Sequence, residues 1–150
     1  MLTPVTTESA VADGRDFLKV LVVDDILYVA KSIWRILSNE GYFVLTARTG
    51  LEAVQKFTEY RPDLVTVDRK LPDMSGLQLV EKIRETDPDG KSRIIVISAV
   101  DDKHEIQAML KHGIDDYLIK PFKKKRLIDT VKALLDPEEL ESADAEEPSE

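Results

Sequence analysis

The sequence predicts an α/β fold in which five parallel strands alternate with five helices, a doubly wound (βα)5 arrangement. Five short apolar runs rich in β-branched residues alternate with segments whose apolar residues recur at helical spacing. Most of the runs are apolar throughout, which is typical of strands buried on both faces of a parallel sheet. Right-handed crossovers then place helices on both faces. The predicted strands are Leu18–Val23, Tyr42–Ala47, Leu64–Val67, Ile94–Ile97 and Tyr117–Ile119.

The first three helices have clear start or stop signals. Gly41 is expected to end the first helix, whose apolar face consists of Val29, Ile33, Ile36 and Leu37. Thr49 with Glu52 predicts a capping box at the start of the second helix. Ser75 with Gln78 predicts another at the start of the third.

The last two helices follow the same logic. Asp102 with Glu105 can open the fourth helix, and Gly113 can close it. The fifth helix is predicted from about Lys123 to Leu135, with Leu127, Ile128, Val131, Leu134 and Leu135 as its apolar stripe. The chain is therefore divided into an N-terminal arm, residues 1–16, a single folded domain, residues 17–135, and a C-terminal tail, residues 136–150.

The net charge of -8 is concentrated in the tail. Eight acids and no base lie between Asp136 and Glu150, and the other 21 of the 29 acids balance the 21 bases. A balanced body without a basic stripe argues against direct nucleic-acid binding. The tail is predicted to be a disordered, solubilising segment, with a docking role as the alternative. Because no fold signal follows Pro137, the tail favours a natural end over a fragment of a longer regulator.

Targeting signals are lacking in the sequence. No apolar run approaches the roughly 18 residues that span a bilayer, so no membrane insertion is expected. The first dozen residues lack the basic and apolar regions of a secretory signal, and the chain contains no cysteine. We expect a cytoplasmic protein.

Acidic, hydroxyl and amine side chains follow four of the predicted strands. Asp24 and Asp25 follow the first, Asp68 the third, and Ser98 and Lys120 end the fourth and fifth. In the strand order 2-1-3-4-5 these strands are neighbours, and their carboxyl ends meet at one edge. Three crowded carboxylates repel and need a proton, a lysine or a divalent cation. Mg²⁺ prefers such oxygen ligands together with phosphate, so this edge predicts phosphoryl transfer to a carboxylate.

Four motifs at these positions resemble those of response-regulator receiver domains. They are Val22-Val23-Asp24-Asp25, the segment from Val67 to Gly76 (VDRKLPDMSG), Ile97-Ser98-Ala99 and Lys120-Pro121-Phe122. The resemblance extends from about Phe17 to Leu135. It implies a flavodoxin-like sheet of order 2-1-3-4-5 and a phosphoacceptor switch of a two-component or phosphorelay system.

The resemblance also implies the role of each acid. Asp68 would be the phosphoacceptor. Mg²⁺ or Mn²⁺ would be bound by Asp24, Asp25, Asp68 and the backbone carbonyl of Lys70. Without the resemblance, the Asp24–Asp25 pair can also be read as a helix N-cap, Asp68 and Asp73 as turn formers, and Lys120 as a strand-end charge.

The remaining site residues would recognise or report the phosphoryl group. Arg69, Ala99 and Lys120 would bind its oxygens, the first two through backbone N–H groups. Ser98 and Tyr117 would form the switch, although Tyr117 also fits a plain core residue. The Lys120–Pro121 bond would be cis, which is the minority state of such bonds.

The implied partners are a phosphodonor and an effector. The donor would be a sensor histidine kinase or histidine phosphotransfer protein. Ile26, Leu27 and Tyr28 form an apolar group beside the acids that we expect to dock this donor if exposed. A downstream effector would read the surface formed by the fourth helix, the fifth strand and the fifth helix. The basic run Lys123–Arg126 is either a solvated face or a partner contact.

Two positions near the site concern the lifetime of the phosphoryl group. Lys70 lies two residues past Asp68, and Val100, which cannot position a water, lies two past Ser98. In the family these positions influence hydrolysis, so slow self-dephosphorylation is predicted. The chain is then an acceptor and not a turnover enzyme.

Rival functions fit the motifs less well. A haloacid dehalogenase phosphatase has Asp-x-Asp after its first strand, where Ile26 takes the second acid's place. A flavodoxin-like FMN site needs a hydroxyl-rich and glycine-rich loop there, and two aspartates would repel phosphate. A pseudo-receiver would normally lack an acid, the lysine or the acceptor.

Overall fold

The computed structural model describes residues 17–99 and 101–137. The predicted N-terminal arm, Val100 and the tail from residue 138 lie outside the described residues. The ten elements are β1 (Lys19–Val23), α1 (Leu27–Asn39), β2 (Phe43–Ala47), α2 (Gly50–Tyr60), β3 (Leu64–Val67), α3 (Gly76–Thr86), β4 (Arg93–Ser98), α4 (Lys103–Lys111), β5 (Asp116–Ile119) and α5 (Lys124–Leu135). Each predicted strand and helix is present, and the predicted bounds differ from the observed ones by at most one residue.

The strands form one parallel sheet in the order β2-β1-β3-β4-β5, which confirms the predicted fold. The last residues of β1 and β3, Val23 and Val67, are paired in register. Val23 is also paired with Ala47 at the end of β2, and Ser98 with Ile119 at the ends of β4 and β5. The residues that follow the strands therefore emerge at one edge.

The sheet separates two apolar layers, as its uninterrupted apolar strands require. Leu21 and Val23 face α2, α3 and α4 and pack with Phe57, Leu79 and other side chains. Val20 and Val22 face α1 and α5 in a second layer, which includes Ile33, Leu37, Leu127 and Val131. Burial on both faces fixes the strand register, because a slip of one residue would exchange the two layers.

The helix ends match the predicted caps with one exception. Ser75 and Gln78 form a full capping box on α3, and Asp102 accepts from the first backbone N–H groups of α4. The Thr49 side chain caps α2 by accepting from the Glu52 N–H. The predicted return bond is wrong, however, because the Glu52 carboxylate accepts from the N–H of Arg48, at 2.7 Å.

Within the described residues, no helix is both long enough and apolar enough to cross a membrane.

Candidate functional site

The three predicted acids converge at the carboxyl edge of the sheet. The N–H of Asp24 donates to the carbonyl of Ala47, and that of Asp68 donates to the carbonyl of Val23, both at 3.0 Å. Sheet hydrogen bonding thus continues one residue beyond the strands and fixes both backbones. Carboxylate oxygens of Asp24, Asp25 and Asp68 all lie within 4.8 Å of one another. Such spacing suits a shared divalent cation with oxygen ligands.

Asp24 is the most buried of the three acids, with 2% of its surface exposed. One carboxylate oxygen accepts from the N–H of Ile26 at 2.9 Å, and the other accepts from the Lys120 ammonium at 3.0 Å. The helix-capping interpretation is wrong for this residue, because the N-cap of α1 is Ile26 and has no side-chain cap. Asp24 instead forms a local turn and an ion pair.

Lys120 is shared between two of the acids. Its ammonium lies 3.0 Å from Asp24 and 3.9 Å from Asp68. The N–H of Lys120 donates to the carbonyl of Ser98 at 2.8 Å, which places its backbone beside the end of β4. The bond between Lys120 and Pro121 is cis, as predicted.

The surroundings of Asp68 raise its pKa above the ordinary aspartate value. Burial raises the pKa of Asp68, Asp24 and Asp25 raise it further by repulsion, and Lys120 and the backbone N–H of Lys70 only partly oppose the rise. Burial is the largest of these causes. The favourable charge of Lys120 therefore does not outweigh the cost of burying the Asp68 carboxylate beside two other acids.

The loop after Asp68 is held tightly against the strand end. The N–H of Gly76 donates to the carbonyl of Arg69 at 2.6 Å, and that of Leu71 to the carbonyl of Met74 at 3.1 Å. A Cβ on Gly76 would lie 2.5 Å from the carbonyl oxygen of Asp68. Because that contact is with backbone, glycine is required at this position.

Asp73 ties this loop to another helix. Its two carboxylate oxygens accept from the N–H groups of Gly50 and Leu51, at 2.8 and 2.9 Å. These bonds lower the pKa of Asp73. The sequence suggested at most a turn former here. The contact joins residues 22 and 23 positions apart, and no local pattern indicates it.

Ser98 and Tyr117, the predicted switch pair, are in contact. Both are buried, with 5% and 8% of their surface exposed. Burial raises the pKa of Tyr117, and a side-chain hydrogen bond with Ser98 opposes the rise. In this conformation Tyr117 points inward, next to the residue that ends β4.

The remaining phosphoryl-binding candidates lie in the loops beside the acids. Ala99 is exposed just after β4. Arg69 directly follows Asp68, and its guanidinium pairs with Glu105 in the first turn of α4. Lys70 is exposed and pairs with Ser75 in an isolated bridge within the loop. The pair of Arg69 with Glu105 was not predicted, since it joins positions 36 residues apart.

The apolar group beside the acids is exposed. Ile26, Leu27 and Tyr28 expose 42%, 53% and 76% of their surface. Tyr28 also lines a groove of about 460 Å³ that runs from α1 to Lys120 and Phe122. The condition set by the docking hypothesis, exposure of this group, is met.

The comparisons with known proteins agree with this geometry. The sequence model of the response regulator receiver domain matches residues 20–132. The chain belongs to the receiver-domain family. Chemotaxis protein CheY of Treponema pallidum is 38% identical over 120 residues, which cover 78% of this chain and 82% of that protein.

Solved receiver domains share the fold. A CheY-like receiver domain from Methanospirillum hungatei has a TM-score of 0.76 and 32% identity, over 84% of this chain and 99% of that one. A chain of the CheX–CheY–BeF3–Mg complex from Borrelia burgdorferi has a TM-score of 0.75 and 30% identity, over 83% of this chain and 93% of that one. This receiver domain therefore functions in two-component signalling.

Proposed function

We propose that this receiver domain accepts a phosphoryl group on Asp68 from a phosphohistidine of a sensor histidine kinase or a histidine phosphotransfer protein. The observation that carries the proposal is the set of three carboxylates within 4.8 Å of one another, with Lys120 in contact with two of them. Such a set is unfavourable by itself and favourable around a cation and a phosphoryl group.

The acids fit a magnesium or manganese ion. They offer hard oxygen ligands that lie within 4.8 Å of one another, and the burial that raises the pKa of Asp68 also makes a nearby cation favourable. Asp24, Asp25, Asp68 and the backbone carbonyl of Lys70 would hold the ion. When bound, it supplies positive charge that offsets the acids and the incoming phosphoryl oxygens.

The transfer itself needs alignment and charge compensation. An oxygen of Asp68 forms the new P–O bond while the P–N bond of the donor breaks, and the imidazole leaves with the electron pair. Lys120 lies close enough to Asp68 to pair with a phosphoryl oxygen there. Backbone N–H groups of Arg69 and Ala99 would bind the other oxygens.

The readout is proposed to start at Ser98. Its hydroxyl would leave Tyr117 for the phosphoryl group, and Tyr117 would follow into the space that Ser98 vacates. The surface formed by α4, β5 and α5 would then change its preference for a downstream effector. This is a two-state element biased by a local charge.

The exposed group of Ile26, Leu27 and Tyr28 is proposed to dock the donor. It adjoins the acids in sequence, and the groove beside Tyr28 ends at Lys120. A donor seated there would present its phosphohistidine to Asp68. A chain similar to this one comes from the CheX–CheY–BeF3–Mg complex of Borrelia burgdorferi, which supports the binding of a partner protein by such a domain.

The domain is proposed to be a cytoplasmic acceptor and not a turnover enzyme. Lys70 is exposed beside the site, and no acid or amide stands at that position to orient water. We expect slow loss of the phosphoryl group from isolated phosphoprotein, accelerated by Lys70→Asn and Val100→Glu. Fast decay in the parent protein that neither substitution accelerates would contradict this.

Intact-mass analysis after incubation with Mg²⁺ and acetyl phosphate tests the central proposal. The parent protein should gain one phosphoryl group, and Asp68→Asn should gain none. Asp129→Asn, which removes an exposed acid of α5, is the matched control and should behave like the parent. Equal incorporation in Asp68→Asn would overturn the proposal.

A further inference from the structure

The ion pair of Arg69 with Glu105 links the acceptor loop to α4. Arg69 is the residue after Asp68, and Glu105 lies in the first turn of α4. Both side chains are about one third exposed. The charges of Glu105, Arg69 and Asp68 all act on the hydroxyl of Tyr117. The pair is therefore next to the acceptor in the chain, through Arg69, and is close enough to Tyr117 for its charges to act on that hydroxyl.

Helix α4 has the fewest buried residues of the five helices. Met109 is its one buried residue, whereas α1 and α3 each bury four residues and α2 and α5 each bury three. Few buried contacts mean a low cost of displacement. An ion pair at its first turn can therefore influence its position.

The fold of α4 does not depend on this ion pair. Asp102 already accepts from the N–H groups of His104 and Glu105, at 2.9 and 3.3 Å. Glu105 is also favourable in the first turn because of the helix dipole. Loss of Arg69 as a partner would therefore free the helix to move without unfolding its first turn.

Phosphorylation of Asp68 would give Arg69 a stronger partner than Glu105. A phosphoryl group adds negative charge and three acceptor oxygens next to Arg69 in the chain. A guanidinium matches phosphate oxygens with two parallel hydrogen bonds. We propose that Arg69 is a latch: it holds α4 through Glu105 in the unphosphorylated domain and turns to the phosphoryl group when Asp68 is modified, which releases α4.

This inference rests on the proposed function. It adds Arg69 as a residue that positions α4, and Glu105 as a competitor of the phosphoryl group. Glu105 and the phosphoryl group compete for one guanidinium. Removal of Glu105 should therefore favour the phosphorylated state, and removal of Arg69 should disfavour it. If the Arg69–Glu105 pair were only a surface contact, neither substitution would change the phosphorylated state. If the pair only stabilised the fold, both substitutions would change it in the same direction.

The test is an amide NMR titration of the full chain with beryllofluoride, a phosphoryl mimic, at saturating Mg²⁺. Glu105→Gln should tighten apparent binding about three- to fivefold, and Arg69→Gln should weaken it by about the same factor, the scale expected for a partly exposed ion pair. Arg69→Lys keeps the charge and should recover part of the loss. Both neutral variants should raise hydrogen exchange of the α4 amides before beryllofluoride is added.

Two outcomes separate failure of the latch from failure of the proposed function. Asp129→Asn, which breaks the exposed pair with Lys125 on α5, is the matched control and should bind like the parent. If the parent responds to beryllofluoride but the two variants shift binding in the same direction, or not at all, the latch is wrong. If the parent itself does not respond, the proposed acceptor function is wrong.

Discussion

Aspartates at the carboxyl edge of the sheet, where the strands end, and at the amino edge, where they begin, are in opposite electrostatic environments. At the carboxyl edge, Asp24, Asp25 and Asp68 lie close together, Lys120 contacts two of them, and burial raises the pKa of Asp68. At the amino edge, Asp115 accepts from the N–H of Ile94 at 2.8 Å and from Arg84 at 3.2 Å. The first edge has more negative charge than the described side chains offset, and the second matches each carboxylate with donors.

This difference assigns stability to one edge and function to the other. Arg84 donates to the carbonyls of Gly113 and Ser92, each at 2.7 Å, and so joins α3 to the start of β4 and to the loop before β5. Asp63 accepts from the N–H of Lys19 at 2.8 Å at the start of β1. The matched edge fixes the strands, and the incompletely matched edge would favour the binding of the proposed cation and phosphoryl group.

The largest effect is expected from Arg84→Ala at the matched edge. The substitution leaves the carbonyls of Gly113 and Ser92 and the carboxylate of Asp115 without their guanidinium partner. We expect the free energy of unfolding to fall by about 2–4 kcal/mol, measured by urea denaturation. Incorporation of phosphoryl per folded molecule should be unchanged. A decrease in the free energy of unfolding of less than about 0.5 kcal/mol would show that the hydrogen bonds of Arg84 contribute little to stability.

Asp68→Asn, at the carboxyl edge, should raise the free energy of unfolding, whereas Arg84→Ala should lower it. In the presence of a chelator, removal of one of three repelling carboxylates should raise the free energy of unfolding by about 1 kcal/mol. Mg²⁺ should stabilise the parent protein more than the variant, because the variant has one ligand fewer. A destabilised variant in chelator, or equal stabilisation of both proteins by Mg²⁺, would contradict the comparison.

The pH dependence of stability should show the same contrast between Asp68 and Asp73. The pKa of Asp68 is raised on folding, so the folded state holds its proton more tightly than the unfolded state. Its contribution is therefore favourable below the ordinary aspartate pKa of about 3.9. That contribution is lost as pH rises from there through the folded-state pKa.

The sign is reversed for Asp73, whose pKa is lowered on folding. Its contribution is present above the ordinary aspartate pKa and is lost as pH falls through the lower folded-state pKa. Denaturation from about pH 3 to 7 in chelator, comparing the parent with Asp68→Asn and with Asp73→Asn, measures the two slopes. Slopes of the same sign for the two residues would contradict this account.

The smallest effect is expected from Asp73→Asn at neutral pH. The asparagine keeps one acceptor for the N–H groups of Gly50 and Leu51 but loses the charge that favours the start of α2. We expect a small fall in the thermal midpoint and higher hydrogen exchange in the loop after Asp68. Unchanged exchange in that loop would show that Asp73 does not hold it.

The sequence was sufficient for the fold and for the grouping of Asp24, Asp25, Asp68 and Lys120. Parallel strands end at one edge, so residues that follow the strands must meet once the strand order is known. Local signals also predicted most helix ends, because caps depend on residues two to four positions apart. Receiver-domain motifs then added the roles proposed for each residue.

The contacts that sequence reasoning missed are made by side chains across long separations. Asp73 on the start of α2, Arg69 with Glu105, and Arg84 with Gly113 join positions 22 to 36 residues apart. No periodicity or cap signal indicates such partners, since they depend on how loops meet after the sheet is formed. The missed contact of Glu52 with the N–H of Arg48 is local instead, and differs from the predicted bond to Thr49 by one residue.

The most direct measurement is to locate the acyl phosphate itself. Borohydride reduces a phosphorylated aspartate to homoserine, which tandem mass spectrometry can place in the sequence. After incubation with Mg²⁺ and acetyl phosphate, we expect homoserine at position 68 and at neither Asp24 nor Asp25. Homoserine at another aspartate, or none in protein that has gained a phosphoryl group, would contradict the account.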